Sequence, residues 1–193
     1  MKLTRRQKEQ RERAKRQGEE VARRWDMDAL TPAQLVALLE SEEPHVHGTA
    51  SDRLIARGPD AVESLMAGMA HPERKMRATC ALLLDHVADD RCIAPLLHAM
   101  RHDPHESVRR CAMHSLVCDG CKECPLNTDV VGALIEAALN DRSRQVRQRA
   151  VFYLSQQHPD TRAVPALQTL LARETDSTIL MRARRALKRH SML

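Results

Sequence analysis

The stretches DPHESVRRCAMHSL (residues 103–116) and DRSRQVRQRAVFYL (residues 141–154) share one register. Each has an Asp first, a Val-Arg pair starting five residues on, an Ala four residues after that Val and a Leu eight after it. Sliding this register along the chain finds five copies. The Val slot holds Val46, Met76, Val108, Val146 and Ile179, and the small slot holds Ala50, Cys80, Ala112, Ala150 and Ala183. The last slot is Leu in every copy: Leu54, Leu84, Leu116, Leu154 and Leu187. Spacing of i, i+4, i+8 draws one stripe down a helix.

A second apolar helix precedes each stripe, marked by Leu35/Leu38/Leu39, Leu65/Met66/Met69, Ile93/Leu96/Leu97/Met100, Leu134/Ile135/Leu139 and Val164/Leu167/Leu170/Leu171. Thr31-Pro32 and Thr128-Asp129 supply helix starts, a capping side chain followed in the first case by a Pro whose missing N–H costs nothing there. The unit is helix, short turn, helix, recurring at intervals of 30, 32, 38 and 33 residues. One such pair cannot bury its own apolar face, and stacking the pairs makes a continuous core. The units run roughly over 31–58, 60–89, 90–127, 128–160 and 161–190.

The pattern resembles HEAT repeats of the short bacterial HEAT-like kind over residues 31–190, with Asp-x4-Val-Arg its most specific element. The resemblance implies an all-α, right-handed α-solenoid whose second helices line the inner face. In that family the turn Asp and the Arg after the Val form a ladder between stacked repeats. Carried onto this chain, that gives Asp103 with Arg109 and Asp141 with Arg147. The other copies depart, with Ser41/His47, His71/Arg77 and Glu174/Leu180 in those places.

Composition fits this reading. Apolar residues make up 42% of the 193-residue chain, yet aromatics are only 2%, namely Trp25, Phe152 and Tyr153. The core must be aliphatic, and no segment alternates as a strand does. No apolar run approaches the roughly 18 residues that cross a bilayer, and the basic N-terminus has no apolar segment behind it as a secretory signal would. A cytoplasmic, monomeric protein that does not enter membranes is expected. The net charge of +5 is concentrated in residues 1–24, which hold ten Lys/Arg against four Glu. This basic arm is expected to be flexible or a lone helix, with the array covering residues 25–193 and Trp25 marking first contact.

Three features carry candidate chemistry. The longest interval contains CDGCKECPLN (118–127), so Cys118, Cys121 and Cys124 lie on an insertion. Cys111, His114 and Cys118 share one helical face upstream. Three thiolates and an imidazole, His114 with Cys118, Cys121 and Cys124, or Cys111 as the alternative fourth ligand, suit a tetrahedral structural zinc ion. The run also resembles the opening of a ferredoxin iron–sulfur motif, although Pro125 directly follows the third Cys and a fourth ligand is missing. A redox thiol pair and unligated loop cysteines are the other readings. Second, arginines gather on the last two second helices: Arg142, Arg144 and Arg149, then Arg182, Arg185, Lys188 and Arg189. They suit an anionic partner or phosphates, or a soluble end cap whose charge complements a helix C-terminus. Third, the arm could contact nucleic acid or serve as a solvated or protein-docking helix.

A scaffold that holds a protein partner is the leading expectation, and a nucleic-acid-associated protein the alternative. A HEAT-like DNA glycosylase or lyase would need catalytic groups, such as a base pocket with aromatics and a carboxylate, that the sequence does not place. His105-Glu106 is a single pair, whereas HEAT-like di-iron hydroxylases use several.

Overall fold

In five of the α-helices the first turn is set by a side chain that accepts an otherwise orphaned N–H. Thr4 and Thr31 each form a reciprocal capping box, with Gln7 and Gln34 respectively, and Pro32 follows Thr31. Asp129, Ser143 and Asp176 accept from Gly132, Gln145 and Ile179 N–H. The computed structural model describes residues 4–87, 89–118, 120–121 and 126–192. They form α1 (Arg5–Arg24) followed by five helix pairs. The first members are α2 (Pro32–Ala37), α4 (Val62–Gly68), α6 (Ile93–His102), α8 (Val130–Asn140) and α10 (Ala163–Arg173). The second members are α3 (Val46–Arg57), α5 (Arg74–Val87), α7 (Glu106–Val117), α9 (Arg144–Leu154) and α11 (Ser177–His190). No strand occurs among the described residues.

Each second helix packs on the next, α3 on α5, α5 on α7, α7 on α9 and α9 on α11, while α2 meets α4 and α8 meets α10. The result is a two-layer α-solenoid. The repeated stripe is its seam: all fifteen positions are buried except Leu187, which is half-buried in the terminal helix.

One position shows how closely the layers fit. Gly68 on α4 stands where the other first helices have Leu38, Met100, Ala138 and Leu171, and opposite it Cys80 fills a slot that is otherwise Ala. A Cβ on Gly68 would lie 2.5 Å from Cys80 Sγ and 3.3 Å from Val36 Cγ1. Glycine therefore makes room for the larger thiol. Gly68→Ala should destabilise the protein by about 1–3 kcal/mol through overpacking, despite alanine's better helix propensity. Adding Cys80→Ala should recover most of that loss in a double-mutant cycle of urea melts. A stabilised Gly68→Ala variant would show slack in the seam.

The ladder differs from the pairing that the resemblance implied. Arg109 does not take the carboxylate of its own turn. Its Nε and Nη2 donate to Asp141 of the next repeat at 2.8 and 2.9 Å, and its Nη1 donates to the Asp103 carbonyl at 2.8 Å. Arg77 bonds Asp103 at 2.8 and 3.2 Å, and Arg147 bonds Glu174 at 2.9 Å. Each Arg thus binds its own turn's backbone and the following turn's side chain. The offset explains why the departing copies still serve: His71/Arg77 supplies only the cation and Glu174/Leu180 only the anion. Burial opposes ionisation of Asp103, but the Arg77 guanidinium and His105 N–H outweigh it and hold the carboxyl below the usual range. Arg147 does the same for Glu174. A second set of pairs, unforeseen in the sequence, joins first helices: Arg91 reaches Glu63 at 3.0 Å, and Arg162 reaches Asp129 at 2.7 Å.

The basic segment is not detached. Residues 5–24 form one helix whose C-terminal part packs on α3, with Ala22 and Met27 buried. Arg53 ties it down through Glu19 at 3.2 Å and Asp28 at 2.7 Å. Contact begins before Trp25, which caps α1 and is itself 37% exposed. Residues 5–16 of this helix lie in solvent.

Candidate functional site

Two arrangements stand out on the second-helix side. The first lies where the connection between α7 and α8 starts. Asp85 on α5, His114 on α7, Cys118 and Cys121 bring one ligand atom each to within 4.8 Å of one another. His114 Nε2 sits 2.9 Å from Asp85 Oδ2, its Nδ1 is 2.6 Å from the Tyr153 hydroxyl, and the two sulfurs are 3.3 Å apart. A hydrogen bond to the Asp85 carboxylate, with the neighbouring Cys118 second, pushes the Cys121 thiol up to about 12. The grouping holds two thiols, an imidazole and a carboxylate, a donor set that can hold a metal ion.

Of the residues that the sequence nominated, His114, Cys118 and Cys121 converge. Cys124 lies outside the described residues. Cys111 is not part of the group; it faces the neighbouring groove, and burial pushes its thiol up. The residue that sequence reasoning missed is Asp85. Its signal was present in the register, because the slot after the invariant Leu holds Ile55, Val117, Ser155 and Lys188 in the other copies. An acid there, fully buried, breaks the pattern.

The second arrangement is a strip across α5, α7, α9 and α11. A groove of about 440 Å³ is lined by Leu82, Arg110, Cys111, His114, Arg149, Phe152 and Tyr153. A smaller one of about 270 Å³ continues from it past Gln148 to Arg182. The Arg149 guanidinium lies 5.9 Å from the Phe152 ring centre and 5.8 Å from that of Tyr153, and Arg182 lies 5.3 Å from Phe152. These are cation–π distances. Leu82 is 42% exposed. Neither lining includes a carboxylate among the described residues.

The nominated arginines divide. Arg149 and Arg182 border this strip, and Arg144 lines its smaller groove while bonding Asp176 of the next repeat at 2.5 Å. Arg142 instead donates to the Pro104 carbonyl at 2.7 Å and serves a junction between repeats. Arg185 and Lys188 are exposed on α11, and Arg189 donates to the Gln157 carbonyl at 2.5 Å. The register again held the signal for the strip. Its members fill the slots equivalent to Cys111 (Arg149, Arg182) and His114 (Leu82, Phe152).

The fold is that of HEAT/armadillo-like helical repeat proteins. No protein-family model matches the chain, and no curated protein matches it in sequence. Among solved structures, it is similar to a chain of the complex of CpcE and CpcF of phycocyanin lyase from Nostoc sp. PCC7120. There the TM-score is 0.65 at 21% identity, over 81% of this chain and 97% of that one. A designed armadillo repeat protein in complex with the peptide (KR)4 gives a TM-score of 0.51 at 16% identity, over 90% of this chain and 86% of that one. An engineered protein gives 0.50 at 24% identity, over 95% and 92%. At these identities the likeness speaks to fold alone. No helix among the described residues is long and apolar enough to cross a membrane.

Proposed function

We propose that this repeat array works by binding rather than catalysis, and docks a protein segment carrying carboxylates beside an apolar side chain. The observation that carries the reading is the strip of Arg110, Arg149 and Arg182 around Phe152, Tyr153 and Leu82. Tyr, Phe and Arg are the residues that interface cores favour, and guanidiniums already stacked on rings lose little freedom when a carboxylate arrives. Two of the chain's three aromatics sit here, Phe152 and Tyr153, the latter also packed against the core. The solved relatives named above include one in a complex of two named proteins and one in complex with a peptide. That company supports a protein ligand over nucleic acid. The (KR)4 ligand is basic, whereas the charge of this strip calls for an acidic one.

Fluorescence anisotropy with a labelled peptide of alternating Glu and Leu tests the reading. Binding should weaken with salt and fall at least about tenfold, some 1.4 kcal/mol, in Arg149→Glu. A Lys–Leu peptide should bind less. Equal affinity of wild type and Arg149→Glu would sink the proposal. So would preference for a DNA duplex over the acidic peptide, which would favour the phosphate-binding alternative through the exposed part of α1 and the α11 arginines.

A further inference from the structure

We propose that Asp85, His114, Cys118 and Cys121 bind one Zn²⁺ in a closed, structural site that ties the α7–α8 connection to the preceding repeat. The site shares His114 and Tyr153 with the groove beside it, but the inference does not rest on the docking reading.

Three observations converge on it. The four ligand atoms come from separate places, α5, α7 and the loop, yet gather within 4.8 Å of one another. Tetrahedral zinc, with bonds of about 2.3 Å to sulfur and about 2.0 Å to nitrogen or oxygen, spaces its ligand atoms about 3.3–3.8 Å apart. The 2.9 Å nitrogen–oxygen and 3.3 Å sulfur–sulfur separations need to open by only about half an ångström to meet that spacing.

The second observation is the orientation of the imidazole. With Nε2 toward the ion, Nδ1–H donates to the Tyr153 hydroxyl 2.6 Å away. Ligating histidines usually have such an outer partner, which fixes the tautomer and the ring plane.

The third is the cost of the carboxylate. Asp85 is fully buried in a slot where adjacent repeats have Ile55 and Val117. Desolvating a carboxylate there is unfavourable, and a divalent cation bound to it offsets that cost. Two sulfurs with one nitrogen and one oxygen favour zinc over magnesium or calcium. Binding breaks the two S–H bonds, releases both protons to solvent and forms two Zn–S bonds. No oxidation state changes. With four protein ligands no position remains open for a substrate, so the role is to staple the insertion.

Metal analysis of protein purified without an affinity tag should find about one equivalent of zinc. Cobalt substitution should give the visible bands of a tetrahedral thiolate site. Asp85→Ala, the volume-conserving Asp85→Asn and Cys118→Ser should each lose most of the metal, while Cys124→Ser keeps it. Far-UV circular dichroism of each variant separates lost metal from lost fold. In the wild type, Cys118 and Cys121 should react with a thiol reagent only after chelation. Zinc below about a tenth of an equivalent in wild type, or a disulfide between these two cysteines, would overturn the site. Metal retained in Asp85→Ala but lost in Cys124→Ser would overturn this ligand set.

Discussion

Arg109→Ala should destabilise the protein by about 3–5 kcal/mol, the range for breaking one side of a buried ion pair. Arg109 is 2% exposed and closes a junction between two repeats. Its guanidinium donates twice to Asp141 and also to the carbonyls of Asp103 and Pro104. Alanine leaves a buried carboxylate that keeps the Ser143 N–H at 2.7 Å, and takes the 2.8 Å donor away from the Asp103 carbonyl, while Arg142 still reaches the Pro104 carbonyl at 2.7 Å. The loss is thus mostly the cost of groups left behind. Combining Arg109→Ala with Asp141→Leu should recover a good part of it, because replacing both members of a buried pair by apolar groups is often close to neutral. Urea titration of the two single variants and the double variant measures this. A loss below about 1 kcal/mol, as exposed pairs give, would mean that water reaches the junction.

The same junction shows what the sequence could and could not reveal. The stripe was readable because one constraint recurs in every copy: a helix face that meets two neighbours must be apolar at i, i+4 and i+8. Capping residues were readable for a similar reason, since the cap acts within four residues of chain. The partner of Arg109 was not. Asp103 and Asp141 both stand in turns of matching sequence, and only the stacking offset decides which carboxylate the guanidinium reaches. Local spacing contains no information on that offset. The docked half of α1 was hidden for another reason. Val21 and Ala22 form too narrow an apolar patch to announce burial, and the Arg53 pairs with Glu19 and Asp28 that hold the segment join residues far apart in sequence.

The candidate sites lie between these extremes. Cys118 and Cys121 were conspicuous as a pair, but a search along the loop could not find Asp85, which is 33 residues away from Cys118 in sequence and one repeat away in space. Comparison down the register could have. A slot that holds Ile55, Val117, Ser155 and the exposed Lys188 in the other copies, and a fully buried Asp85 in this one, marks a residue placed for something other than packing. The aromatic–arginine strip follows the same logic, because the slots of Cys111 and His114 hold Arg149 with Phe152 in the next repeat. In a repeat array the useful comparison is between copies, since every copy inherits the same packing task and any departure has a local cause.

That reasoning gives a graded expectation for the seam itself. Leu154 and Leu187 occupy the same slot in successive repeats, yet Leu154 is fully buried between neighbouring second helices and Leu187 is half-buried at the end of the stack. Leu154→Ala removes apolar surface from water-free packing and leaves a cavity that α7 and α11, held by the ladder on either side, cannot close. Its cost should be about 2–5 kcal/mol. Leu187→Ala lies in α11, which packs on α9 and α10 and on no other α-helix among the described residues in more than a marginal way, so solvent and α11 itself can relax into the space. There the cost should fall below about 2 kcal/mol, since only part of the side chain leaves an apolar setting. Because each repeat contacts only its neighbours, amide exchange in Leu187→Ala should speed up in α10 and α11 and leave α5 unchanged. In Leu154→Ala the faster exchange should spread to both sides of α9. Equal losses from the two substitutions, or exchange that rises uniformly along the chain in both, would mean that the array folds as one indivisible core and that copy-by-copy reasoning about its energetics does not apply.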